Sequence, residues 1–303
     1  MVGSTIGRDY STISVTATTN LLIVMGLSSG NSCGSIGRMR PLLLAAALVL
    51  APAQLAAADP LAEARRLYNL QQYDEAERVA REAAANLATI DRARVVLGRI
   101  HLERYRRTAA PEDLASARTA LRATDTRALD GRERIELTIG LAEALYFEDR
   151  YGAAAEMFET VMDAAAVLGP LAHERVIDWW ATALDRLAQG RQPSERSAIY
   201  ERVSVRMTGE IERDPGSLPA GYWLVAAARG QGDLDRAFDT ATAGWVRAIH
   251  ARDRGIALRA DIDRLMVLAV LPERAARLSA RDQKTVLSGM IAEWDAFKER
   301  WSR

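Results

Sequence analysis

The side chains that most often carry out chemistry in enzymes are few in this chain, and they lie far apart in the sequence. The three histidines are His101, His173 and His250, and none belongs to a His-Glu-x-x-His motif or another metal-ligand spacing. No glycine-rich loop followed by Lys-Ser or Lys-Thr is present to hold phosphate, and no Gly-x-Ser-x-Gly turn presents a nucleophile. The sequence therefore predicts a protein that is not an enzyme, with no catalytic residue, metal or other cofactor.

The composition is typical of a globular protein with one or two domains. Of the 303 residues, 49% are hydrophobic and 26% are charged, which is enough apolar material for a sizeable core. Lys and Arg total 40 against 40 Asp and Glu, so the net charge favours neither nucleic acid nor an anionic membrane as a partner. Cys33 is the only cysteine, which leaves the folded part without a disulfide.

Residues 39–58 have the features of a secretory signal peptide. "MRPLLLAAALVLAPAQLAAADP" starts at Met39 with a short basic end, continues with an apolar run and ends in small residues before Asp59. We expect cleavage after Ala58 and a periplasmic or secreted bacterial protein with no integral membrane span. Residues 1–38 would make the charged start too long, so we interpret them as an upstream extension from a misassigned start codon.

Two alternatives keep the protein attached to a membrane. An uncleaved apolar stretch from Pro41 to Ala58 nearly reaches the length that spans a bilayer. A lipoprotein signal would instead end at Cys33. Three residues before that cysteine, lipoprotein signals typically carry Leu, whereas this chain has Gly30.

From Asp59 onward, apolar residues return every three or four positions, which predicts helices almost throughout. Clusters of turn-forming residues divide this pattern into paired helices. The expected breaks are "NLQQYD", "ERYRRTAAPED", "TDTRALDGRE", "VLGPLAHE", "AQGRQPSE", "RDPGSLPAG", "RGQGDLD" and "VLPER".

Small and aromatic residues recur at fixed distances in these pairs. In "LAEALYFEDRYGAAAEMFETVMD", Ala142 and Ala154 are the small residues and Phe158 is an aromatic residue on the second helix. "AEARRLYNLQQYDEAERVAREAA" repeats the spacing with Ala64 and Ala76. The pattern resembles the tetratricopeptide repeat (TPR), a helix-turn-helix unit of about 34 residues. This resemblance implies an all-α, right-handed superhelical solenoid of antiparallel helix pairs.

The resemblance covers residues 59–248 as about five units, of which one or two are degenerate. Leu97 and Gly98 stand at the Leu-Gly positions of the second unit, whose turn is expected to be lengthened by an insertion. The unit from Arg175 to Asp214 is less regular, and a longer turn is expected between its helices. Residues 249–303 are expected to form C-terminal helices that cap the solenoid, or alternatively a homodimer contact.

In the TPR family, ligands bind in a concave groove lined by the first helix of each pair, so the resemblance implies where a protein or peptide partner would bind. Paired donors of three arginines at one end would favour an acidic segment or a chain terminus. Trp179 and Trp180 point about 100° apart on a helix, so only one is expected in the core. The groove residues expected from this register are Arg65, Tyr68, Asn69, Arg92, Arg99, Glu103, Glu143, Tyr146, Phe147, Trp179 and Trp180.

Three functional interpretations remain open from the sequence. The first is an exported scaffold that binds a protein or peptide in this groove. The second is a structural part of an envelope assembly, joined through the terminal helix, which an exposed stripe from Trp294 to Trp301 would favour. The third is an enzyme, for which clustered carboxylates with raised pKa values in a deep cleft would be required.

Overall fold

The computed structural model describes residues 59–278 and 282–302, and the regular elements of this part are all helical. The all-α expectation is therefore confirmed, whereas residues 1–58, with the expected extension and signal peptide, lie outside the described part. The α-helices are α1 (Pro60–Asn69), α2 (Tyr73–Ala84), α3 (Ile90–Thr108), α4 (Pro111–Arg122), α5 (Gly131–Phe147), α6 (Tyr151–Val161), α7 (Pro170–Gln189), α8 (Pro193–Arg213), α9 (Leu218–Gly230), α10 (Leu234–Arg247), α11 (Ile256–Leu265), α12 (Leu271–Leu278) and α13 (Gln283–Trp301).

The helices pack as neighbours along the chain, from the pair α1 and α2 to the pair α9 and α10. The second helix of each pair packs against the first helix of the next pair, and α10 packs against α11. The first helices α1, α3, α5, α7, α9 and α11 also contact one another in that order. The first helices of the described part thus form one continuous row.

Proline and capping residues explain most helix starts. Pro111, Pro170 and Pro193 occupy the first helical turn, where the missing N–H costs nothing because it would have no partner within the helix. At α5, the Asp130 carboxylate accepts from the backbone N–H of Glu133, and the Glu133 carboxylate accepts from that of Asp130. This capping box satisfies two N–H groups that would otherwise lack partners.

Two expected turns differ from those in the structure. The extra residues of the second unit lengthen α3, which continues to Thr108 and is followed by a short turn at residues 109–110. The turn between α7 and α8 is also short and consists of residues 190–192. Both expectations of a longer turn are wrong because "ERYRR" and the residues before Gly190 contain no helix breaker.

The expected break at "VLPER" is absent, and the chain passes from α11 to α12 through a π-helical segment, Met266–Val270. In α geometry the carbonyl of Leu268 would accept from residue 272, but Pro272 has no N–H. A π turn shifts each carbonyl's partner to the fifth residue, and the N–H of Leu271 accordingly donates to the carbonyl of Met266. Proline therefore widens the helix here instead of ending it.

Small residues allow the helices to approach closely. Ala64, Ala76, Ala142 and Ala154 are all fully buried. Gly98 lies under Leu121 of α4, and a Cβ at Gly98 would be 2.5 Å from that side chain. The small positions of the repeat pattern are therefore sites of helix contact, as expected from their spacing.

The last helix packs against the preceding helices through most of its apolar stripe. Trp294 is fully buried, and its indole N–H donates to Asp263 of α11 at 2.8 Å. Phe297 is partly buried and stacks on Trp294, with ring centroids 5.4 Å apart. Trp301, at the end of α13, is 52% exposed. Within the described residues, no helix combines the length and apolarity needed to cross a membrane.

Candidate binding surface on the first helices

The groove residues expected from the sequence lie on four first helices, α1, α3, α5 and α7, which contact one another in order. Because the helices run side by side, residues far apart in sequence become neighbours on this surface. We call the surface formed by these four helices the inner face.

Arg65 and Arg92 do not present free guanidinium groups on the inner face. Both donate to the same carboxylate oxygen of Glu133, each at 2.6 Å, and Glu133 is 1% exposed. Burial opposes ionisation of Glu133, but the bonds from Arg65, the Asp130 backbone and Arg92 outweigh it and lower the pKa of the carboxyl. Two of the three arginines expected to hold a ligand carboxylate therefore already bind an internal one.

Arg99, the third of these arginines, has a different environment. Its guanidinium lies over the ring of Tyr68, 4.9 Å from the centroid, a distance at which a cation is attracted by the ring. Among the described residues no group forms a hydrogen bond or ion pair with Arg99. Asn69, also expected in the groove, is exposed at the end of α1.

Glu103 and Glu143 lie on α3 and α5 and are both more than nine-tenths buried. Glu103 forms an ion pair with Arg106 of its own helix, and a guanidinium nitrogen of Arg175 lies 3.9 Å from its other carboxylate oxygen. No described residue forms a hydrogen bond or ion pair with the Glu143 side chain. The two carboxylates therefore differ in that only Glu103 has counter-charges in contact.

Burial, followed by repulsion from Glu103, raises the pKa of Glu143 to about 7, although Arg99, Arg175 and Arg106 act in the opposite direction. A desolvated carboxyl without a hydrogen-bond donor is more stable in its neutral form, in which its O–H is itself a donor. Near neutral pH, Glu143 therefore exchanges between a hydrogen-bond donor and a buried anion.

Aromatic rings follow these charged groups along the helices. Phe147 lies one turn beyond Glu143 and contacts Tyr105 of α3 and Trp179 of α7, with centroid distances of 5.0 and 5.6 Å. Tyr146 contacts Trp179 at 4.8 Å, and all of these rings are partly exposed. Edge-on packing of this kind holds the rings in place, so they form a firm apolar surface beside Glu143.

The two adjacent tryptophans separate as expected for a helix. Trp180 is 1% exposed and lies in the core with Phe158 and Leu184, so it does not line the inner face. Trp179 is partly exposed and joins the aromatic rings. The prediction that includes Trp180 in the groove is wrong because the helical rotation of about 100° turns its ring away.

Several residues of this surface were not expected from the sequence. Glu133 is announced by the Asp-x-x-Glu spacing of a capping box, but its pairing with two distant arginines is not. Tyr105 and Arg175 carry no local signal. Asp178, exposed on α7, accepts from the indole N–H of Trp223 at 2.8 Å.

The histidines take part in contacts between helices. His101 is buried, and its Nδ1 lies 3.0 Å from Asp113 of α4. Nδ1 of His173 faces the carbonyl of Met162 at 2.9 Å, and its Nε2 faces Glu210 at 3.3 Å. In the described ranges, no group of three or more His, Cys, Asp or Glu side chains is arranged to hold a metal ion.

Comparison with known proteins does not assign the chain to a family. No family model matches it, and neither the curated proteins nor the solved structures contain a protein that matches.

Proposed function

We propose that this chain is a non-enzymatic scaffold that binds a protein or peptide partner along its inner face. The carrying observation is that Arg99 and Glu143, on neighbouring first helices, lack hydrogen-bond and ion-pair partners among the described residues and lie beside partly exposed aromatic rings. Polar groups that are buried without partners are costly to a fold, so their retention on one surface favours a role in binding.

The architecture that we propose is a TPR-like, right-handed superhelical solenoid with α13 as its cap. The succession of contacts between first helices supports it, since stacked pairs of this kind leave one side of every first helix on a common surface. The signal-like residues 39–58 support export, which places the scaffold in the bacterial periplasm or outside the cell.

The second candidate, a structural part of an envelope assembly joined through α13, has one observation in its favour. Trp301 is 52% exposed at the end of the chain, beside Phe297 and Val246. The rest of the stripe is covered, with Trp294 fully buried. The inner face therefore has the stronger support as the partner surface.

The test is capture of partners from the native organism's envelope fraction with the chain from Asp59. The inner-face variant carries Arg99→Glu and Arg175→Glu, and a charge-matched control carries Arg122→Glu and Arg236→Glu on the exposed sides of α4 and α10. Circular dichroism and urea unfolding verify that both variants remain folded. We expect the partner to be retained by the control and lost by the inner-face variant.

A third variant, Trp301→Ala, separates the two candidate functions. Loss of the partner by this variant, with retention by the inner-face variant, would assign binding to α13 and overturn the scaffold proposal.

A further inference from the structure

Arg99 and Glu143 carry opposite charges, and neither has a hydrogen-bond or ion-pair partner among the described residues. The Arg99 guanidinium contacts the Tyr68 ring face. Their helices, α3 and α5, are in contact, and each group acts electrostatically on the other although they do not form an ion pair. Each group could therefore still accept a partner of complementary chemistry from a ligand.

The charge around this position favours an anion when Glu143 is neutral. Arg99, Arg106 and Arg175 then outnumber the ionised Glu103, which Arg106 already neutralises. A carboxylate has the matching chemistry, because it can accept two bonds from a guanidinium and a further bond from the O–H of a neutral carboxyl. An ammonium ligand would instead meet the repulsion of the arginines.

The other groups near Glu143 do not supply the missing partner. Tyr68 of α1 faces Arg99, and Glu136 of α5 is paired with Arg132 at 3.4 Å. On the other helices packed on α5, Arg118 of α4 pairs with Glu148, and Glu156 and Glu159 of α6 pair with Arg202. Asp178 of α7 accepts from the indole N–H of Trp223. The short 3-10 helix at residues 164–168, which also contacts α5, contains no titratable side chain.

We infer that Arg99 and Glu143 form a proton-linked carboxylate site, which binds a ligand carboxylate while Glu143 is protonated. When Glu143 is ionised beforehand, binding takes up one proton from solution, which becomes the O–H that donates to the ligand. The aromatic rings of Phe147, Tyr105 and Trp179, one turn further along, would pack an apolar group attached to that carboxylate. This inference rests on the proposed function, since it names the ligand chemistry of the same surface.

The site has a defined pH dependence. Because the ligand binds the protonated form, affinity falls as the pH rises through about 7, the pKa of Glu143. Between pH 6 and pH 8 the protonated fraction of such a group decreases about tenfold, and the dissociation constant is expected to increase by about the same factor.

The probe is 3-phenylpropionate, and its matched control is the uncharged 3-phenylpropanamide. Binding to the chain from Asp59 is followed by NMR from pH 6 to pH 8, and Glu143 is followed through its carboxyl carbon. We expect the carboxylate to bind in preference to the amide and to lose affinity about tenfold between pH 6 and pH 8. At saturation with the carboxylate, the pKa of Glu143 should be higher than in the free protein. Glu143→Gln keeps a donor that does not titrate, so it should bind with a flat pH profile, whereas Arg99→Met should not bind.

Three results would overturn the inference: equal binding of the amide, tighter binding as the pH rises, or no binding of 3-phenylpropionate. None of them would affect the envelope capture experiment, in which the scaffold proposal fails if the inner-face variant retains the partner.

Discussion

Glu133 and Glu143 lie on the same helix, are both more than nine-tenths buried, and have opposite electrostatic environments. Glu133 accepts from Arg65, Arg92 and the Asp130 backbone, and its pKa is lowered. Glu143 has no such donor, and its pKa is raised. The difference shows that burial alone does not decide whether a carboxylate stabilises a fold. The hydrogen-bond donors that reach the carboxylate determine whether its ionised form stabilises or destabilises the folded state.

The largest effect is expected on removal of the paired carboxylate. Glu133→Ala leaves Arg65 and Arg92 without their partner and removes the capping box of α5. We expect the free energy of unfolding in urea at pH 7 to decrease by about 2–3 kcal/mol, near the lower end for a broken buried pair because both arginines keep contact with water. Glu82→Ala, which loses an exposed ion pair with Arg78, is the control, and an equal loss in both variants would contradict the comparison.

The contribution of the unpaired Glu143 to stability should change with pH in the opposite direction from that of Glu133. The folded pKa of Glu143, about 7, lies above the unfolded value of about 4.3, so ionisation of Glu143 progressively destabilises the fold as the pH rises between these values. Glu143→Gln should therefore increase the free energy of unfolding at pH 8 by about 1–3 kcal/mol, and by less at pH 5. The free energies of unfolding of the parent and the variant are measured in urea at both pH values.

Glu133→Gln is the matched variant for this pH test. The folded pKa of Glu133 is below its unfolded value, so its contribution is present above about pH 4.3 and is lost as the pH falls through the folded pKa. The variant should therefore be less stable than the parent at pH 7. A Glu143→Gln variant that is also less stable at pH 8 would show that Glu143 has a stabilising partner.

The smallest effects are expected for the single arginines of the pair. Arg65→Met and Arg92→Met should each cost about 0.5–1 kcal/mol, because the other arginine still binds Glu133. The double variant should cost more than the sum, since Glu133 would then be a buried anion without a side-chain donor. Strict additivity in urea unfolding would show that the two arginines act independently.

Local sequence signals predicted helices and most of their limits. Pro170, Pro193 and the Gly232–Asp233 turn mark limits that the structure confirms. The exceptions have local physical causes: α3 continued through a segment without breakers, and Pro272 was accommodated by a wider turn. A proline removes one hydrogen bond of a helix, and packing decides whether the helix ends there.

The surface was predictable only in outline. Register on the first helices placed Tyr68, Arg99 and Glu143 on one face. It could not show that Arg65 and Arg92 share Glu133, because these residues are 68 and 41 positions away from it in the chain. A partner on another helix cannot be read from the local sequence pattern. The sequence therefore did not distinguish Arg65 and Arg92, which bind Glu133, from Arg99, which does not.

The π segment at Met266–Val270 also sets the angular register of the end of the chain. Each residue in an α-helix rotates the next side chain by about 100°, so one residue more or less before α12 turns its whole buried face by that amount. Leu271 and Ala275 are now directed into the core, and α13 packs on the helix that they hold in place. The positions around Pro272 should therefore tolerate substitution far better than deletion, because a missing residue would rotate Leu271 and Ala275 out of the core.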